Sequence, residues 1–172
     1  MPSQTRAGEP EFHDALVAVL PKLRRFAYAL AGNREEADDL LQAAAERALE
    51  KADRFEPGTN FEAWLFRLCR NLWIDRIRSR KVRPEVLFKE EMAPSLDGER
   101  QLETGVDLER VGAAMGQLSE DHRSVLALVA VEGLSYKEAA SVLDLPIGTV
   151  MSRLARARAQ LADRVGEKED RT

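Results

Sequence analysis

Cysteine is almost absent from this chain, because Cys69 is the only one among 172 residues. A single cysteine cannot form a disulfide within its own chain or supply a cysteine-based metal site. The two histidines, His13 and His122, lie far apart and lack the spacing of metal ligands. We therefore expect no metal and no cofactor, and we expect Cys69 to belong to the core.

Long apolar runs and strand patterns are also missing. No apolar run is long enough to span a bilayer and the first residues form no signal segment, which predicts a cytoplasmic protein without membrane insertion. No segment alternates β-branched and aromatic residues as a strand does. No nucleophile–base arrangement or phosphate-binding loop indicates an enzyme. The composition, 44% hydrophobic and 33% charged, is rich in helix formers and predicts an all-α fold.

Two helical patterns separated by a short turn occupy the segment Leu134–Leu161. Ser135 and Glu138 have the spacing of a capping box, so the first helix is expected to begin near Tyr136. Asp144-Leu145-Pro146 ends it, because proline disfavours helical geometry in the preceding residue and suits the first turn of the next helix. The pattern predicts a helix-turn-helix whose second helix begins around Pro146 to Gly148.

The second helix of this unit is rich in arginine. Val150, Leu154, Ala157 and Leu161 recur at helical spacing and are expected to face the core. The residues expected toward solvent are Thr149, Ser152, Arg153, Arg156 and Arg158. A basic amphipathic helix is often only a solvated face, but the complete two-helix unit favours insertion into a DNA major groove.

The net charge of -4 is unevenly distributed along the chain. Basic clusters lie at Arg76–Arg83 and Arg153–Arg164, and a mainly acidic, proline- and glycine-containing segment separates them. We therefore predict two small helical domains joined by an acidic flexible linker. The expected boundaries are a disordered tail at 1–10, a domain at 11–83, the linker at 84–106, the helix-turn-helix domain at 107–165 and a tail at 166–172.

Three helices are expected in the first domain. The first runs from Phe12 to Leu30 and is interrupted or kinked near Pro21. Asn33 with Glu36 starts the second, which extends to about Lys51. The third runs from Phe61 to about Arg80, with a predicted core stripe of Phe61, Trp64, Leu65, Leu68 and Leu72, and with Arg67, Arg70, Asn71, Ile74 and Arg78 on its other side.

The order of these motifs resembles the extracytoplasmic-function sigma factors of bacteria. The resemblance rests on Ala37-Asp38-Asp39-Leu40-Leu41-Gln42, on the stretch from Asp53 to Leu72, on Leu134–Ala140 and on Gly148–Arg153. It implies region 2 at 11–83 and region 4 at 107–165. Such proteins bind the core of RNA polymerase and promoter DNA and initiate transcription of a specific regulon, typically a stress or envelope response. They commonly have an anti-sigma partner.

The resemblance also implies roles for individual residues. Those matching the stretch that docks on the polymerase clamp are Asp38, Asp39, Leu40 and Gln42, although the carboxylates equally suit the start of a helix. Those matching the site of the -10 element are Phe55, Gly58, Thr59 and Asn60 for a flipped base, Asn71 beside it, and Arg67, Arg70, Arg76, Arg78 and Arg80 for phosphates. Trp73 either stacks on an unpaired base or packs the domain.

In the second domain the same resemblance assigns the solvent-facing residues of the recognition helix, Thr149, Ser152, Arg153, Arg156 and Arg158, to the -35 element. Arginine can bind guanine through two hydrogen bonds. The acidic linker matches the segment that threads the RNA exit path. Three residues depart from the family pattern. Ala43 replaces a commonly acidic residue, which removes one candidate clamp contact, and Met151 and Ala155 in the recognition helix predict a distinct promoter preference.

Three functions remain open at this point. A sigma factor explains both domains. A free-standing helix-turn-helix regulator explains only the second domain. A sigma-like decoy that binds an anti-sigma factor would not need the arginines, and it would usually carry a receiver domain, for which the sequence shows no parallel-sheet pattern.

Overall fold

The computed structural model describes residues 9–82 and 114–166, and within those ranges every regular element is helical. The elements are α1 (Glu9–Ala31), α2 (Arg34–Glu50), a 3₁₀ turn (Ala52–Arg54), α3 (Phe61–Val82), α4 (Glu120–Leu126), a π-helical segment (Ala127–Val131), α5 (Tyr136–Leu143) and α6 (Ile147–Gly166). The predicted all-α fold is confirmed. The proposed linker at 84–106 lies outside the described residues. None of the helices described is long and apolar enough to cross a membrane.

Helix α1 differs from its prediction at both Pro21 and its start. It continues through Pro21, which lies on the exposed side, so the carbonyl that loses its amide partner faces water. The helix is therefore not interrupted at Pro21. The helix also begins at Glu9, two residues inside the segment predicted as a disordered tail, because Pro10 suits a first helical turn. The rest of that tail lies outside the described residues.

Helix α2 begins at the predicted cap, and α3 begins at Phe61 as predicted. The amide of Glu36 donates to Asn33 Oδ1 at 2.9 Å, and the amide of Ala63 donates to Asn60 Oδ1 at 3.0 Å. On α3 the predicted core stripe is only partly correct: Leu65 is buried, but so are Phe66, Cys69 and Trp73, and the other four members are only half-buried. The reason is that α3 packs against α1 and α2 on one side and against α5 on another.

The helix-turn-helix forms as predicted from its capping box. The amide of Glu138 donates to Ser135 Oγ at 3.1 Å and the amide of Ser135 donates to Glu138 Oε2 at 2.8 Å. Asp144 ends α5 in the left-handed conformation with φ 54°, and α6 begins at Ile147. Helices α5 and α6 contact each other, and both contribute to the hydrophobic core, α5 through Ala139 and Val142 and α6 through Val150, Leu154 and Ala157.

The two halves of the chain pack directly against each other. Helix α1 contacts α4 and the π-helical segment, and α3 contacts α5. Arg123 of α4 is buried, and its guanidinium donates to the carbonyl oxygens of Leu30, Met115, Gly116 and Leu118. Because Leu30 is in the last turn of α1, this arginine satisfies carbonyls in both halves at once.

Candidate nucleic-acid and polymerase interfaces

The residues predicted to dock on the polymerase lie on α2, but not all on its surface. Asp39 and Gln42 are exposed. The carboxylate of Asp38 is half-exposed and lies 3.1 Å from Arg24 Nη2 and 3.9 Å from Arg34 Nε. Leu40 is fully buried with Ala37, Ala44 and Ala48, so the prediction of a surface contact at Leu40 is wrong. Its spacing from those alanines is that of the core face of a helix.

The loop predicted to receive a base lies between the 3₁₀ turn and α3. Gly58 has φ +90°, which L side chains rarely adopt. Thr59 closes the turn, because its amide and its hydroxyl both donate to the carbonyl oxygen of Glu56, at 3.2 and 2.7 Å. Asn60 caps α3 through its side-chain oxygen, so its NH₂ group takes no part in the cap. Gly58, Thr59 and Asn60 are all exposed.

A cluster of four aromatic rings supports this loop. Phe55 lies 5.0 Å from Phe61 and 5.4 Å from Trp64 between ring centroids. Phe12, from the first turns of α1, completes the cluster at 5.2 Å from Phe61, 6.0 Å from Trp64 and 6.3 Å from Phe55. Sequence reasoning placed Phe12 on α1 but missed its contact with the loop, since the two are 43 residues apart in the chain (55 − 12). All four rings are half-buried.

The predicted phosphate-binding arginines of α3 differ in their surroundings. Arg67 and Arg78 are exposed and share one face of the helix with Asn71, at spacings of four and seven residues. Arg67 also donates to the carbonyl oxygen of Ser141 on α5. Arg76 and Arg80 turn toward α2: Arg76 Nη2 donates to the carbonyl oxygen of Asp39 at 3.2 Å, and Arg80 binds both oxygens of Glu36 at 2.9 and 3.1 Å. The Arg80 guanidinium also lies over the Trp73 ring.

Arg70 and Trp73 of α3 are occupied by α4. Arg70 Nη2 lies 3.3 Å from Asp121 Oδ1, and its Nε donates to Ser124 Oγ at 3.3 Å. Burial lowers the pKa of the Arg70 guanidinium, and the Asp121 carboxylate opposes that shift. Trp73 is buried and its Nε1 donates to Glu120 Oε2 at 2.7 Å, so it packs the interface rather than offering a stacking surface. The contacts of Glu120 and Asp121 with α3 were not predicted, because only the folded chain brings these residues next to that helix.

The recognition helix α6 presents a mixed face. Ser152, Arg156 and Arg158 are exposed as predicted, and so are Met151 and Ala155. Thr149 and Arg153 are half-buried, which corrects the expectation that both point to solvent. Arg153 lies against α4, where its Nη1 is 3.4 Å from Asp121 Oδ2. The Ser152 hydroxyl donates to the carbonyl oxygen of Thr149 at 3.1 Å.

The described residues offer little for thiol chemistry or metal binding. Burial raises the pKa of the Cys69 thiol to about 12, so it remains protonated at neutral pH. The part of the chain that the structure describes holds no group of three or more histidine, cysteine or acidic side chains suited to a metal ion. Two surfaces remain as candidate binding sites. One is helix α3, which carries arginines and Asn71 and lies beside the loop that contains Gly58. The other is the helix-turn-helix. Together they define a protein of the promoter-recognition class.

Comparison with known proteins agrees with this class. Residues 16–83 match the family model of sigma-70 region 2, and residues 108–161 match that of sigma-70 region 4. The chain is 40% identical over 150 residues to the ECF RNA polymerase sigma factor EcfG of Rhodopseudomonas palustris (strain TIE-1), which covers 87% of this chain and 82% of that protein.

Two solved structures are similar along almost the whole chain. The sigma factor RpoE in complex with the anti-sigma factor NepR from Bartonella quintana has 34% identity and a TM-score of 0.76, covering 91% of this chain and 97% of that one. CnrH in complex with the cytosolic domain of CnrY has 28% identity and a TM-score of 0.70, covering 94% and 91%. The chain belongs to the ECF sigma factors, and it is an alternative sigma factor of bacterial RNA polymerase. Sigma factors as a family are not enzymes.

Proposed function

We propose that α6 reads the -35 element and that α3, with the loop Phe55–Asn60, captures the -10 element. The observation that carries the proposal is the face of α6 opposite buried Val150, Leu154 and Ala157, which presents Ser152 and Arg156 to solvent on a capped helix-turn-helix. Arginine binds guanine through two hydrogen bonds in the major groove, while a hydroxyl suits phosphate or local contacts. Thr149, Arg153 and Arg158 flank this face and would contact the DNA backbone.

The -10 element would be held at α3 by exposed polar groups. Asn71 offers an amide donor and acceptor to a base edge, and Arg67 and Arg78 on the same face would bind phosphates. Asn60, Thr59 and Gly58 would line the receiving loop beside Phe55. Arg70, Arg76 and Arg80 complete the basic surface once their protein partners release them, and Arg67 must likewise leave the carbonyl oxygen of Ser141.

The remaining assignments follow from the same architecture. Asp38, Asp39 and Gln42 would meet a basic surface of the polymerase core. The domains are 11–83 and 107–165, joined by an acidic linker at 84–106. The chain would act in the cytoplasm, where polymerase and promoters are, and leave phosphodiester chemistry to the core enzyme. An anti-sigma factor is a proposed partner, because the similar structures of RpoE and CnrH are complexes with NepR and CnrY.

The experiment is transcription in vitro by core polymerase reconstituted with this protein on a library of supercoiled promoters. Asn71→Ala and Arg156→Ala should each reduce promoter-specific transcript by roughly tenfold, since each removes about 1 to 3 kcal/mol of base recognition. The matched controls are Gln117→Ala, an exposed amide, and Arg47→Ala, an exposed arginine of α2. Unchanged transcription by both test variants would refute the assignment of α3 and α6.

A further inference from the structure

An apolar row runs along the exposed side of the recognition helix. It consists of Ile147, Met151 and Ala155, which are spaced four residues apart on α6 and therefore lie next to one another along one side of the helix. Ile147 is 44% exposed and Met151 is 50% exposed, and Ala155 is also exposed. The hydrophobic core of the described residues includes none of the three. Single exposed apolar residues are ordinary, but a continuous strip of them indicates a contact surface.

Polar and positively charged side chains border the apolar row on both sides. Ser152 and Arg156 directly follow Met151 and Ala155 in the sequence, so they form a second row with the same spacing. Arg158, three residues after Ala155, lies on the other border, and both arginines are exposed. An apolar strip between cations fits an anionic partner that carries small apolar groups. Duplex DNA is such a partner, because its major groove displays the C5 methyl of each thymine between two phosphate backbones.

The hydrogen-bonding groups of this face can specify only part of a promoter element. The Ser152 hydroxyl already donates to the carbonyl oxygen of Thr149 at 3.1 Å. Arg153 is half-buried, and its Nη1 lies 3.4 Å from Asp121 Oδ2. Arg156 is the exposed donor beside the apolar row, and one guanidinium reads one guanine through two hydrogen bonds. Apolar contact with thymine methyl groups is the other direct means by which this face can distinguish bases.

The position and length of the apolar row fit the floor of a major groove. The N-terminal residues of a recognition helix contact base edges, and Ile147 is the first residue of α6. At the usual helical rise, the row extends about 12 Å from Ile147 to Ala155. Since base pairs are stacked about 3.4 Å apart, the row can face roughly three successive base pairs.

We propose that the apolar row reads the C5 methyl groups of thymines in the -35 element, with Met151 as its main specificity-determining residue. This inference rests on the proposed function and names the feature of the bases that α6 recognises. Met151 is central in the row and is more exposed than Ile147, and its unbranched side chain adapts to an irregular apolar surface. The -35 element should accordingly contain A·T pairs next to the guanine that Arg156 binds.

Replacing thymine with deoxyuridine tests the proposal, because it removes the C5 methyl and keeps the base pair. The probe is a fluorescent linear duplex with the -35 and -10 elements selected from the promoter library, and anisotropy measures its affinity for the reconstituted polymerase holoenzyme. Deoxyuridine at a contacted thymine should weaken binding by wild type roughly fourfold, the effect of one buried methyl. Met151→Ala should weaken binding to the thymine duplex and should be insensitive to deoxyuridine at that position.

Three further variants show whether the effect is specific. Met151→Leu keeps an apolar side chain of similar volume, so it should retain the sensitivity to deoxyuridine. Ile147→Ala should lose the sensitivity at a different thymine, because the two side chains lie about one helical turn apart. Val17→Ala, at a residue of α1 that is 51% exposed and outside both DNA surfaces, is the matched control and should behave as wild type on both duplexes.

The outcomes distinguish this inference from the proposed function. Sensitivity to deoxyuridine in wild type and Met151→Leu, lost at one position in Met151→Ala, supports methyl reading. A selected -35 element without A·T pairs, wild-type binding unaffected by deoxyuridine at every position, or equal sensitivity in wild type and Met151→Ala overturns it. The proposed function then still stands if Arg156→Ala lowers transcription by the holoenzyme, whereas absence of that effect overturns the proposed function itself.

Discussion

Arg123 and Leu30 are separated by 93 residues, yet Nη1 of the arginine donates to the leucine carbonyl at 2.7 Å. The same guanidinium also donates to the carbonyl oxygens of Met115, Gly116 and Leu118. One side chain thus binds carbonyl oxygens in both halves of the chain. A buried carbonyl that loses its donor costs about 1 to 3 kcal/mol.

We expect Arg123→Gln to lower the free energy of unfolding by about 3 kcal/mol, because an amide cannot reach four carbonyls. Arg123→Lys should lose nearly as much, since one ammonium group lacks the span of the guanidinium. Urea denaturation followed by circular dichroism measures both changes. Arg158→Gln, at an exposed arginine, should stay within about 0.5 kcal/mol of wild type. Losses of similar size in all three variants would contradict the role of Arg123.

The capping box of α5 makes a separate prediction. Ser135→Ala removes the acceptor of the Glu138 amide and should cost about 1 kcal/mol of stability. Ser141→Ala is the control, because Ser141 is an exposed residue inside the same helix. Thermal unfolding of both variants tests the difference. A midpoint for Ser135→Ala equal to that of Ser141→Ala would show that the cap contributes nothing.

Glu132 predicts a pH dependence of stability. Burial raises the pKa of its carboxyl above 4.5; Arg25 and Lys22 oppose the shift and Glu62 adds to it. One of its oxygens is buried without a hydrogen-bond partner. A carboxyl that binds its proton more tightly when folded contributes most stability below its unfolded pKa, and that contribution is lost as pH rises through the folded pKa.

We therefore expect the free energy of unfolding to decline as pH rises from 4.5, and Glu132→Gln to remove this part of the decline. Urea denaturation at several pH values measures the slope. Glu50→Gln, at an exposed carboxylate of α2, should retain the wild-type slope. Identical slopes for wild type and Glu132→Gln would exclude the buried carboxyl as their cause.

Phe12 predicts an effect on promoter opening. Phe12→Ala removes one ring from the cluster beneath the loop Phe55–Asn60, and it should cost about 2 kcal/mol of stability, less than a fully buried phenylalanine. If the loop holds a flipped base, the variant should also reduce permanganate reactivity of unpaired thymines in the -10 region.

Phe12→Tyr should restore that reactivity, because it keeps the ring contacts, whereas a purely structural role would change only the stability. Val17→Ala, at an exposed apolar residue of the same helix, controls for changes elsewhere on α1. If a folded Phe12→Ala protein gave wild-type permanganate reactivity, the ring cluster would have no role in melting the -10 region.

Local signals were predictable from the sequence and distant contacts were not. The caps at Asn33 and Ser135 act over three residues, so their spacing alone predicts them. Leu40 was assigned to the polymerase-docking stretch through a family resemblance, whereas the structure buries it, in agreement with its spacing from Ala37 and Ala44. The pairing of Arg70 with Asp121 joins residues 51 apart, and no periodic pattern encodes such a contact. Arg153 was misplaced for the same reason.

The burial of Cys69 makes the protein suitable for labelling at a single introduced cysteine. It is the only cysteine in the sequence, it is fully buried, and burial raises its pKa to about 12. Thiol reagents react with the thiolate, which is the nucleophile and is scarce at neutral pH in such a site. A cysteine introduced on an exposed helix face would therefore be the one reactive position, and fluorophores or spin probes could be attached without replacing the native residue.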